Sequence, residues 1–111
     1  MKERAVIRRD RVRKIPQSFS WIDRDILHRG YLEKLSREEI IVYFFLVLVA
    51  GPEGTSFWSY RRIAKLLKLS EHEVISATAG LIRKDLIEFL FPTYQVLSLP
   101  PSSQAQKEEG P

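Results

Sequence analysis

The feature that most constrains this chain is one uninterrupted apolar run, Ile40 to Ala50, in a protein of only 111 residues. The run is 11 residues long, whereas a helix needs about 20 to span a bilayer. Ser36 and Glu39 precede it with the spacing of a capping box, which predicts a helix over about 37–50. A helix that is apolar on every side is buried on every side. We therefore expect this helix to be either the central helix of the core or half of a dimer interface, and we expect Phe44 to be buried.

The basic residues of the chain are concentrated at its N-terminal end. Residues 1–14 hold seven Lys and Arg against two Asp and Glu, whereas the remainder holds 11 against 12. The excess positive charge therefore belongs to an arm, taken as residues 1–18, and not to the body. A basic arm predicts a polyanionic partner, most often nucleic acid. Its candidate DNA contacts are Arg8, Arg9, Arg11 and Arg13.

Residue types that carry chemistry are scarce. There is no Cys, and neither of the two His residues has metal-ligand spacing around it. Gly51-x-x-Gly54 lacks the Lys that follows a phosphate-binding loop, and no nucleophile motif is present. The sequence therefore predicts a protein that is not an enzyme, with no metal, cofactor or small-molecule substrate. A charged N-terminus without an apolar signal core predicts a cytoplasmic protein without a membrane partner, nucleoid-associated if it binds DNA.

The chain divides into the arm, a body over 19–99 and a tail over 100–111. The tail has no large apolar residue and is predicted to be disordered. In the body, Ser20 is predicted to cap a short helix with Asp23 as its partner and Gly30 as its end. The remaining predicted elements are a strand at 55–58, helices over Tyr60 to about Leu67 and Glu71 to about Lys84, and strands at 86–91 and 94–97 joined at Pro92-Thr93.

This order of elements resembles the winged helix-turn-helix superfamily, a mainly α fold with a small β-hairpin. The resemblance covers about residues 31–97, and the segment from Leu35 to Ser59 is similar to the N-terminal winged helix of plasmid replication initiators and DnaD-type primosome proteins. It implies double-stranded DNA as partner and a role in transcription regulation or in replication or transposition of a mobile element. The residues that carry it are Ser59, Ile63, Ala64, Leu67, Leu69, Ser70, Val74, Ala77, Leu81, Leu86 and Ile87.

The resemblance also implies which residues face DNA, because the second helix of the motif enters the major groove. His72 and Ser76 are the candidates for base edges, and Arg83 and Lys84 are further contacts. Glu71 and Glu73 are better explained as first-turn partners of the helix dipole. On the first helix, basic residues at i, i+4 and i+7 predict phosphate contacts, although an ordinary solvated face has the same pattern. These residues are Arg61, Lys65 and Lys68, with Arg62 beside them.

A different class of function remains open, in which the winged helix contacts another protein within a nucleoprotein complex. Ile75, Ile82 and Leu90 are predicted to be exposed, and exposed apolar groups on a small domain mark interfaces. The wing tip at Pro92-Thr93 carries no basic residue, which also favours this alternative. The apolar residues of Ile40–Val49, together with Ile82 and Leu90, are compatible with a homodimer, although a well-buried monomer would use Ile40–Val49 equally well.

Overall fold

The computed structural model describes residues 5–101, and the predicted class is confirmed: helices dominate, and a small antiparallel sheet completes the fold. The described part contains five α-helices and three strands. The helices are Asp25–His28 (α1), Tyr31–Lys34 (α2), Arg37–Val49 (α3), Tyr60–Leu67 (α4) and Glu71–Arg83 (α5). The strands are Thr55–Ser56 (β1), Ile87–Leu90 (β2) and Thr93–Val96 (β3).

Helix α3 lies at the centre of the domain and begins as predicted. The Ser36 hydroxyl accepts a hydrogen bond from the Glu39 N–H at 3.0 Å, and the Glu39 carboxylate accepts one from the Ser36 N–H at 2.9 Å. These two bonds form the capping box, which satisfies donors that the first turn leaves unpaired. Val42 and Leu46 are completely buried. The helix packs against α4, α5 and β3.

Within the single chain, the expectation that α3 is buried on every side is wrong, whereas burial of its exposed face in a dimer interface stays a prediction. Phe44 is 61% exposed, and Ile41 and Leu48 are exposed with it. These three residues follow helical spacing and share one face. Helices α4 and α5 and strand β3 pack against the other faces of α3. A continuous apolar run does not show which face of the helix these elements leave uncovered. The prediction that Phe44 is buried is therefore also wrong.

Helices α4 and α5 have the predicted boundaries within a residue. The Ser59 hydroxyl accepts from the Arg62 N–H at 3.1 Å, and Ser70 and Glu73 form a second complete capping box. The carboxylate of Glu73 therefore has a structural role, because it accepts a hydrogen bond from the Ser70 N–H. Leu81 is completely buried. The other buried side chains of the two helices are Ile63, Ala64, Val74, Ala77 and Thr78.

The sheet has the order β1-β3-β2, with both pairs antiparallel. Strands β2 and β3 form the predicted hairpin, but its turn is Phe91-Pro92, one residue earlier than predicted. The strand predicted at 55–58 extends only over Thr55–Ser56. Gly54 precedes it with φ +85, and a Cβ there would lie 2.7 Å from the Val96 carbonyl oxygen. The glycine therefore allows the close approach of β1 to β3.

The segment before α3 differs most from prediction. Ser20 does not cap a helix, because its hydroxyl donates to the Leu48 carbonyl at 2.9 Å and so ties this segment to the end of α3. The Asp23 carboxylate accepts from the Asp25 N–H at 2.9 Å instead, and α1 begins at Asp25. Gly30, at φ +80, follows α1 as predicted. Helix α2 was not predicted, since its four residues carry no local signal of their own.

The arm and the tail are described only in part. Residues 5–18 are exposed, with one short 3-10 turn at Arg9–Arg11. The predicted tail lies outside the described residues from 102 onward, as do the first four residues of the arm.

Candidate nucleic-acid interface

The candidate interface is built by two crossing helices whose inner sides are fixed by the core. Ala64 of α4 is buried, and α4 packs against α5. A small side chain at this position lets two helices approach closely, as expected. Since the inner sides face each other and the core, the polar residues on the outer sides of both helices are left to solvent.

Two basic residues of α4 remain as the predicted phosphate-binding pair. Arg61 and Lys65 are exposed and lie one turn apart on α4. Within residues 5–101, neither takes part in an ion pair. Two unpaired cations one turn apart suit successive contacts to an anionic backbone.

The other two predicted basic residues of this region differ from expectation. Lys68 is exposed but lies after α4, as a C-cap residue with φ +62, so the helical spacing i, i+4, i+7 does not extend to it. The guanidinium carbon of Arg62 lies 4.4 Å from the centre of the Trp58 ring. This is a cation–π contact, which leaves the charge of Arg62 at the surface but fixes its plane against an aromatic ring.

The outer face of α5 carries the predicted base-edge candidates. His72 and Ser76 are exposed and lie one turn apart, and Ala79 and Ile75 are exposed beside them. Arg83 is exposed in the last turn. This face therefore offers two polar groups, small apolar contacts and one cation at its end.

Lys84 has a structural partner that the sequence did not indicate. Its ammonium group lies 3.2 and 3.3 Å from the two carboxylate oxygens of Glu39. Glu39 is buried, and a buried carboxylate needs a compensating charge. Lys84 therefore has a structural role that joins the end of α5 to the start of α3, and its contact with DNA stays a prediction.

The four arginines of the arm that are predicted to contact DNA are exposed, and within residues 5–101 one of them has an ion-pair partner. Arg8 forms an ion pair with Asp10 at 2.9 Å, and this bond lowers the pKa of the Asp10 carboxyl. The predicted contacts Arg9, Arg11 and Arg13 are exposed as well.

Sequence reasoning missed an aromatic groove of about 500 Å³ between the start of α4 and the β2–β3 hairpin. The Tyr60 and Phe89 rings lie 6.0 Å apart, and Phe89 and Phe91 meet edge to face at 6.4 Å. The signal was present as two aromatic clusters, at 57–60 and 89–91, but only the fold brings them together. We name this the aromatic groove; it is lined by Phe57, Trp58, Ser59, Tyr60, Arg62, Phe89, Phe91, Pro92 and Tyr94.

Residues 5–101 contain no helix that is both long and apolar enough to cross a membrane. The same residues contain no group of three or more His, Cys, Asp or Glu placed to hold a metal ion.

Comparison with known proteins supports the interpretation of α4 and α5. The family described as "Helix-turn-helix domain" matches residues 33–87, from within α2 to the first residue of β2. No curated protein and no solved structure matches the chain significantly. The narrower likeness to replication initiators and primosome proteins stays a prediction. Residues 33–87 are therefore a helix-turn-helix domain of the DNA-binding type, and the hairpin that ends in β3 gives it the winged form.

Proposed function

We propose that this protein binds double-stranded DNA through the outer faces of α4 and α5, in transcription regulation or in replication or transposition of a mobile element. The observation that carries the proposal is that Arg61 and Lys65 are exposed on α4 while His72 and Ser76 are exposed on α5, the helix that packs against α4. The proposed protein is cytoplasmic and binds its target without catalysing a reaction on it.

The two helices have different tasks in this proposal. Arg61 and Lys65 contact phosphates, which sets the position of the domain but carries no sequence information. His72 and Ser76 reach base edges in the major groove. Ala79 adds the kind of apolar contact that a thymine methyl group accepts. The arm contributes further phosphate contacts through its exposed arginines.

Salt dependence of binding tests the proposal. Each phosphate contact releases counterions, so affinity falls as salt rises. Lys65→Ala is expected to make the slope of log affinity against log salt less steep by about 0.9 on any duplex. Lys34→Ala is the matched control, since Lys34 is also an exposed helical lysine but lies on α2. We expect Lys34→Ala to keep the wild-type slope. Weak binding whose slope is the same for wild type and Lys65→Ala would contradict the proposal for α4.

A protein partner is the second candidate function, and the exposure of Ile75 favours it. This residue is 44% exposed in the middle of the outer face of α5. Leu90 is exposed as predicted, whereas Ile82 is half-buried against the core and does not belong to such a surface. This candidate predicts that Ile75→Asp abolishes a complex with another protein, while the salt dependence of DNA binding stays unchanged.

A further inference from the structure

The aromatic groove carries two exposed phenylalanines that the core does not require. Phe57 is 71% exposed and Phe91 is 84% exposed, and neither belongs to the buried cluster of the domain or packs against it. Leu90, next to Phe91 on the hairpin, is exposed as well. Large apolar groups that lie together at a surface mark a binding site, whereas single exposed apolar residues are common and have no such meaning.

The charges around the aromatic groove select the kind of partner. Among the described residues that line it, Arg62 is the only charged one and none is acidic. Tyr60 and Arg62 belong to α4, so the groove adjoins the helix that also carries Arg61 and Lys65. A ligand that offers both a flat ring face and an anionic linkage matches aromatic rings next to cations. Nucleic acid has both in every nucleotide, and bases stack on aromatic side chains and on arginine planes.

The bases of a continuous duplex are not available for such stacking, because each face is covered by a neighbouring base pair. We propose that the aromatic groove stacks an unpaired nucleobase, so that the domain binds DNA with an unpaired base more tightly than it binds a continuous duplex. The proposal rests on the proposed function, since α4 and α5 have to hold the flanking duplex. It adds a preference for the structure of the DNA to any preference for its sequence.

The test compares two duplexes of the same sequence, one continuous and one with a single extra unpaired base. Stacking of one base contributes about 1–3 kcal/mol, so wild type is expected to bind the interrupted duplex about 5- to 150-fold more tightly. Phe91→Ala is expected to lose this preference while keeping the affinity for the continuous duplex. Because Phe91 is mostly exposed, its replacement leaves the core intact, which circular dichroism checks.

Two further variants make the test specific for stacking. Phe91→Leu keeps an apolar side chain but removes the ring, so it is expected to lose the preference as Phe91→Ala does. Phe44→Ala removes another exposed phenylalanine, on α3 and outside the groove, and is expected to keep the preference. If Phe91→Leu still prefers the duplex with the unpaired base, the stacking proposal is overturned, because an apolar contact without a ring would then explain the preference.

The remaining outcomes separate this proposal from the proposed function. Salt-dependent binding of both duplexes with equal affinity would overturn the stacking proposal and leave the proposed function intact. Absence of salt-dependent binding to either duplex would overturn both. A wild-type dimer in sedimentation that becomes a monomer in Phe91→Ala would show that the aromatic groove contacts a second copy of the chain, and would overturn the stacking proposal.

Discussion

Gly80, in the interior of α5, gives the sharpest prediction about how the domain is held together. A Cβ on Gly80 would lie 2.9 Å from the carboxyl carbon of Glu39 and closer still to its Oε2. Glu39 cannot move aside freely, because its carboxylate accepts from the Ser36 N–H and pairs with Lys84. The helix interior thus contains a glycine because α3 places a fixed, buried carboxylate against α5.

Two effects of Gly80→Ala oppose each other. Alanine in a helix interior is about 1 kcal/mol more favourable than glycine. Forcing the carboxylate away weakens a cap worth about 0.5–2 kcal/mol, and overpacking of a fixed site costs about 1–3 kcal/mol. The steric effect therefore exceeds the gain in propensity. The sum of the two costs minus the gain in propensity predicts that Gly80→Ala lowers the free energy of unfolding by about 0.5–4 kcal/mol.

Chemical denaturation of a double-mutant cycle measures this balance. In a Glu39→Ala background the obstacle is gone, so the same Gly80→Ala change is expected to raise the free energy of unfolding by up to about 1 kcal/mol. Ala79→Gly, at the exposed neighbouring position, serves as the control for helix propensity and is expected to be destabilising by about 1 kcal/mol. The reasoning is refuted if Gly80→Ala is as stable as wild type, or if its effect is the same in both backgrounds.

Four further predictions concern the core, a buried tyrosine hydroxyl and its ionisation, and the arm. Leu81→Ala is expected to lower the free energy of unfolding by about 2–5 kcal/mol, through lost burial and a cavity, and an unchanged denaturation midpoint would contradict it. The Tyr94 hydroxyl is buried without a hydrogen-bond partner among residues 5–101, so Tyr94→Phe is expected to be neutral or slightly stabilising in the same assay. Burial raises the pKa of Tyr94, so wild type is expected to lose stability above about pH 10, where the unfolded chain ionises first. Over this pH range, Tyr94→Phe is expected to lose less stability than wild type, and an equal loss in both proteins would contradict this prediction. Burial also raises the pKa of Tyr43, which both proteins contain, so Tyr94→Phe is expected to keep part of the pH dependence. Deletion of residues 1–14 is expected to preserve the thermal unfolding transition and to weaken DNA binding, and an unfolded deletion variant would show that the arm is structural.

The starts of α3 and α5 could be predicted because their signals are local. Ser36 with Glu39 and Ser70 with Glu73 each mark a helix start within four consecutive residues, and both capping boxes form. The ends of α4 and α5 gave weaker signals, because Lys68 and Asp85 adopt positive φ where glycine is the usual residue. The exposure of Phe44 and the role of Lys84 depend on which elements meet in space, and Glu39 lies 45 residues from Lys84.

The candidate interface was predictable to a similar extent. Helical spacing correctly placed Arg61, Lys65, His72 and Ser76 on exposed faces, since one helix face is a local property. The aromatic groove was not predictable in this way, because its rings come from the β1–α4 segment and from two neighbouring strands. A sequence shows that such rings exist, but only the register of β2 with β3 places Phe89 and Tyr94 side by side.

The most direct test of the central claim is to map the DNA contacts on the protein in solution by NMR. A short duplex is added to isotope-labelled protein, and the chemical-shift change of each backbone amide is recorded. The largest changes are expected at Arg61 and Lys65 on α4 and at His72 and Ser76 on α5. Changes confined to the exposed face of α3, around Ile41, Phe44 and Leu48, with α4 and α5 unaffected, would contradict the claim that this helix-turn-helix domain binds DNA through α4 and α5.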